Sequence, residues 1–313
     1  MPPPDETTIK SIRSMADQFV GDDVARCDLR LCFELTCYVW GSIDEQREAI
    51  AALYAVARPW IEPHVRWVAT DFSMRFRKRT RKTLDILPTW LAEESKPLAN
   101  LFLHCDETRH SMSERVFWLE MCRDAMGCIR LSIPVEDATR DPDAVFESVM
   151  AMTRSLRFRS GHAGFGTNQG YHYWGALQRD NNAYRLSLRF PGIDLGHPLH
   201  LNQFFEQHIK GVSWLTLVGE DLLERVGGAE SVASKLGEGA SVHALEHGCL
   251  IRAGAAPQFG DLQQGDDLPD YRRVAAALAP LQFVMNPHRP RSDIGGPENT
   301  ARWLARFSES TEG

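Results

Sequence analysis

His243-Ala244-Leu245-Glu246-His247 offers two imidazoles and a carboxylate in the order H-x-x-E-H. This is the inverted zinc-protease spacing, in which two histidines hold the metal and the glutamate acts as base. The chemistry requires a helix, because there positions i and i+4 lie together on one face. The surrounding residues, SVHALEHGCLIRAG, instead alternate around Gly248 and predict a hairpin of 242–247 with 249–253. On a strand the two histidines stand roughly 13 Å apart at ~3.3 Å per residue, too far for one ion. A hairpin is the favoured reading, and a metal-dependent hydrolase using His243, Glu246 and His247 is the alternative.

Other reactive groups yield even less chemistry. Asp194, His197 and His200 could seed a metal site, but Gly196 and Pro198 favour an extended chain, where an odd spacing sends the two histidines to opposite faces. Gly161-His162-Ala163-Gly164-Phe165-Gly166 has the composition of a phosphate loop without its lysine, and reads better as a strand ending on a turn. No G-x-S-x-G elbow occurs. The seven cysteines, at 27, 32, 37, 105, 122, 128 and 249, form no C-x-x-C pair and read as small apolar residues or free thiols. No catalytic residue, cofactor site or metal ligand is assigned.

Charged clusters remain. Arg75, Arg77, Lys78, Arg79, Arg81 and Lys82 form a dense basic run around Phe76, for which a solvated face is favoured over contact with nucleic acid. Glu136 and Asp137 lead an acidic group that continues through Asp141, Asp143 and Glu147. Asp261, Asp266, Asp267 and Asp270 crowd a loop containing no base. Solubility and helix N-terminal charge account for such groups; an acidic surface that captures a basic partner accounts for them equally well at 261–270. Asp261, Asp266, Asp267, Asp270, Glu136 and Asp137 are therefore the candidate interface residues.

These side chains must be positioned by an alternation of strands and helices. Leu29, Leu31, Phe33, Leu35, Cys37 and Val39 share one face of a predicted strand, and Arg30, Cys32, Glu34, Thr36, Tyr38 and Trp40 the other. Further strands are predicted at 65–72, 101–104, 116–122, 128–133, 163–166 and 212–218. Helices are predicted at 44–60, 84–91, 141–156 behind Pro142, 220–225, 231–236, 271–278 and 298–307. The expected fold is α+β, a mixed or antiparallel sheet with flanking helices, with two related lobes as an option. Residues 1–25 are set apart as an N-terminal tail, 26–308 as one domain (sub-lobes 26–170 and 171–308), and 309–313 as a C-terminal tail.

The 313 residues carry 35 Lys and Arg against 42 Asp and Glu, a net charge of −7. That balance disfavours a dedicated nucleic-acid binder and suits a basic partner. MPPPDETTIK lacks the apolar core of a secretory signal, and no apolar run approaches the roughly 18 residues of a membrane span, so residence in the cytoplasm is expected.

RFPGIDLGHP, IKGVSWLTLVGEDLLERVGG, LIRAGAAPQFGD and WLARF, with DLRLCFELTCYVW, IRLSIPVE and GHAGFG before them, resemble the type VI immunity family over about residues 28–307. The resemblance implies an immunity protein that binds a cognate antibacterial type VI secretion effector, a nuclease toxin of the VRR-Nuc or restriction-endonuclease-like kind. It would block the effector's active site or DNA path. It implies no enzyme, no catalytic residue to carry over and no cofactor, with neither DNA nor membrane as a direct partner. A homo-oligomer is left open.

Overall fold

The computed structural model describes residues 1–18, 29–70, 75–93, 98–107, 113–169, 184–195, 206–284 and 297–308. The strands are β1 Leu29–Gly41, β2 Trp67–Ala69, β3 Arg77–Lys78, β4 Leu98–His104, β5 Val116–Ile133, β6 Phe158–Gln169, β7 Leu215–Gly219, β8 Ala240–Leu245 and β9 Gly248–Ala253. They form one sheet in the order β3-β2-β4-β5-β1-β6-β7-β9-β8, and every neighbouring pair is antiparallel. The α+β expectation is met, with the sheet antiparallel throughout these pairs.

β1 sits at the centre, and its alternation decides what covers each face. Leu31, Phe33, Leu35 and Val39 join the main core with Ile50, Leu53 and Ala57 of the helix Arg47–Ile61 and Val145 and Val149 of the helix Pro142–Thr153. Pro142 opens the latter helix as foreseen, and Asp141 caps it, its Oδ1 accepting from Ala144 N at 3.0 Å. On the other face Tyr38 packs with Phe102, Val116, Trp118, Met126 and Cys128 in a smaller cluster. With both faces covered, β1 is buried almost from end to end, and polar residues on its second face have had to find partners inside the protein.

Several elements exceed their predicted bounds. The two strands expected at 116–122 and 128–133 are one, β5, whose pairing with β1 shifts register between Trp40 and Gly41. β6 runs well beyond 163–166 in both directions. Within residues 1–25 a helix, Glu6–Gln18, buries Ile9, Ile12 and Ala16 on the main core. Their spacing of three and four is that of one helical face. No helix among the described residues is long and apolar enough to cross a membrane.

Candidate functional site

The second face of β1 carries a cluster of buried charges. Glu34 of β1, Arg130 of β5 and His162 of β6 meet there, joined by Asp194 and Lys210 from the connection between β6 and β7; none is more than 5% exposed. Arg130 pairs with Glu34 and also donates to Thr167 O at 3.1 Å. His162 Nε2 lies 3.3 Å from Glu34 Oε1 and 3.5 Å from Asp194 Oδ1. Lys210 pairs with Asp194. Arg306 closes the cluster 3.9 Å from Asp194 Oδ2, its Nε donating to Pro191 O at 2.9 Å and its guanidinium lying 4.0 Å over the Trp303 ring.

The register explains how these residues come together. Thr36 of β1 pairs with Arg130 on one side and with His162 on the other, so the two side chains flank Glu34 across the strand. Gly164 and Gly166 share the His162 face of β6. A Cβ at Gly166 would stand 2.6 Å from Glu34 Cδ, and one at Gly164 would stand 2.1 Å from Ser213 Oγ. The glycines are spaces for neighbouring side chains, in a strand and not in a phosphate loop.

The RFPG signature delivers Asp194 to this cluster. Arg189 grips Asp261 with two hydrogen bonds, at 2.9 and 2.7 Å. Phe190 is buried, and Pro191 O receives Arg306. Gly192 N donates to Phe259 O at 2.8 Å and Asp194 N to Phe165 O at 2.8 Å, fastening the segment to β6 and to the chain near 259.

Burial opposes ionisation of Glu34, but the Arg130 guanidinium, the His162 hydrogen bond and the Lys210 charge overcome it and hold the carboxyl at about 2. Burial pulls Arg306 down to about 10, against the opposing pull of Asp194. Glu34, His162 and Asp194 each offer a ligand atom within 4.8 Å of the others, the spacing of a metal site. The donor set does not fit one. Among the described residues Arg130, Lys210 and Arg306 set three positive charges against the carboxylates of Glu34 and Asp194, and a divalent cation would add to that positive surplus in a buried site. The cluster is a structural ion network.

A separate cleft of about 670 Å³ opens where the C-terminal end of β1 meets the start of β6 and the end of β7. Trp40 lines it and is 48% exposed. Gln46, buried behind it, donates from Nε2 to Trp40 O at 3.0 Å and Arg157 O at 3.1 Å, while its Oε1 accepts from Arg157 N at 2.8 Å. Arg159 donates to Glu206 O at 2.8 Å and pairs with Asp221. Glu45, Glu206 and Glu220 also line the cleft.

The family model for TsiV, type VI immunity for VRR-NUC, matches residues 58–307, which include the signature, the ion network's Arg130, His162, Asp194, Lys210 and Arg306, and most of the cleft. The chain belongs to this family. Among solved structures it is similar to the Pseudomonas aeruginosa T6SS protein PA0821, at 20% identity and a TM-score of 0.76, over 89% of this chain and 82% of that one. At that identity the likeness is one of fold. No curated protein matches the chain.

In this TsiV-family chain the H-x-x-E-H letters fall on the predicted hairpin. His243 lies in β8, with Glu246 and His247 in the turn before β9. His243 Nε2 meets Ser241 Oγ at 2.8 Å and its ring edges onto Phe146 at 4.8 Å. Burial, then the Arg252 charge, holds its pKa below the usual histidine value. Among the described residues the three do not form a converging ligand set. His197 and His200 lie outside the described residues.

Most of the acidic candidates are engaged within the chain. Glu136 takes Arg13 at 2.7 and 3.1 Å, and Asp137 pairs with Arg115. Asp261 holds Arg189, and Arg189 with the Gln263 and Gln264 hydrogen bonds keeps its carboxyl below the usual range despite some burial. Asp267 pairs with Arg272 at 3.2 Å and Asp270 with Arg273. Asp266 O and N bond back to Asp261 across the loop. In the basic run, Phe76 turns inward against Phe102 and His104, each at 5.6 Å, so it is a packing residue and not a stacking platform. Arg77 and Lys78 stand exposed on the edge strand β3, where basic residues discourage strand addition. Sequence reasoning missed the ion network and Trp40; the one signal for both was the run of polar residues on the second face of β1.

Proposed function

We propose that this chain neutralises a VRR-NUC effector of the type VI secretion system by binding it stoichiometrically and covering its active site or DNA path. The family match over residues 58–307 carries the reading. The net charge of −7 supports it, since a nuclease presents positive charge near its DNA groove and an acidic inhibitor gains both steering and complementarity there. The buried ions support action by binding and not by catalysis: Glu34 and His162, the groups best placed for proton chemistry, are bound up in holding the sheet together. The protein would act in the cytoplasm, where the DNA to be protected lies. Residues 26–308 would act as one unit, with the 261–270 loop contributing to the contact through Asp266 and Asp267.

Co-expression with the cognate VRR-NUC effector, the toxin encoded beside this chain, tests the reading. Restored growth and an equimolar complex on gel filtration are the expected results; unrelieved toxicity with no complex would refute it.

A further inference from the structure

The geometry points to the Trp40 cleft as the seat of an arginine- or lysine-tipped loop of the effector, a place within the interface that rests on the reading just given. Among the described tryptophans Trp40 alone is exposed; Trp118, Trp214 and Trp303 are at most 3% exposed and the others half-buried. An indole left open at the mouth of a concavity is the usual anchor of a protein contact, and its face attracts a cation. The lining is acidic. Among the described lining residues Glu45, Glu206, Glu220 and Asp221 stand against Arg157 and Arg159, an excess of two negative charges. Arg159 is committed to Asp221, and Glu45 Oε2 accepts from Ser42 N at 2.6 Å. Glu206 and Glu220 have no ion pair among the described residues, which leaves their carboxylates for an incoming cation.

The cleft is also pre-formed. Gln46 bonds β1 to the start of β6 directly behind Trp40, and Phe158 at its base is 5% exposed. A loop entering it meets a wall already ordered, so little conformational freedom is lost on binding. Nucleic acid is the wrong occupant for a lining of this sign, whereas a nuclease surface carries the required guanidinium and ammonium groups.

Calorimetry of the full chain with a catalytically inactive form of its cognate VRR-NUC effector tests the assignment. Trp40→Ala is expected to weaken binding about 30-fold, the size of an anchor truncation, and Glu206→Lys with Glu220→Lys to weaken it about tenfold or more, mainly in association rate. Both variants should keep the wild-type melting temperature, because the side chains are exposed. Arg77→Glu with Lys78→Glu, at the far edge of the sheet, should bind as the wild type does. If the wild type binds and both cleft variants bind equally well, the cleft assignment fails while the immunity reading stands; if the wild type does not bind, both fall. A wild-type dimer that dissociates on Trp40→Ala would give the cleft to a second copy and overturn the assignment.

Discussion

Glu34 and Asp194 lie at most 4% exposed among Arg130, Lys210 and Arg306, while Asp267 and Asp270 pair with Arg272 and Arg273 at the margin of a surface loop. The same ion pairs are drawn in both places, but their energetics differ. A buried charge that loses its partner has no water to turn to, and such a loss costs about 3–5 kcal/mol. A surface pair loses about 0–1 kcal/mol, because solvent and salt take the partner's place. Charge in the interior is therefore spent on the fold, and charge at the surface can be lent to a partner without endangering it.

The sharpest test of that contrast is Asp194→Ala, which strands Lys210 and Arg306; urea unfolding should show a loss of about 3–5 kcal/mol. A loss under 1 kcal/mol would mean that water reaches the cluster. Acid is the next test. Glu34 titrates near 2 in the folded protein against about 4.5 unfolded. Its contribution is present above pH 4.5 and lost as pH falls toward 2. Glu34→Gln should flatten that limb of the stability curve.

Asp266→Lys with Asp267→Lys should weaken effector binding about tenfold, chiefly through a slower association rate, with an unchanged melting temperature. Unaltered kinetics would remove the 261–270 loop from the interface. Glu120, half-buried on β5, makes a test of opposite sign, discounted because solvent reaches part of the side chain. Burial raises its pKa to about 7, so the stability it gives is present below pH 4.5 and lost as pH rises through 7. Glu120→Gln should level that decline, and a melting profile unchanged between pH 5 and 8 would show the site to be wet.

Much of the frame was legible because it is written in local periods. The alternation in DLRLCFELTCYVW marks β1 and both of its faces, and SVHALEHGCLIRAG marks the hairpin that defeats the zinc reading. The ion network was not legible, because its members meet only through the register. Arg130 is 96 residues from Glu34, and His162 is 128. The glycines of GHAGFG misled about the length of β6: glycine signals a strand end when only the backbone is considered, and here it makes room for Glu34 and Ser213. Trp40 was placed on the correct face, but exposure at a strand's end depends on what the rest of the chain leaves uncovered.

The central position of β1 also has a consequence for timing. Its two neighbours are made long after it, so its backbone groups wait unpaired until residue 169 has been synthesised. At about 5–20 residues per second that wait alone is on the order of ten seconds or more, and pairing over such separations is slow in itself. If the chain neutralises a nuclease effector as proposed, protection would rest on inhibitor already folded when the effector arrives and not on inhibitor whose synthesis begins then.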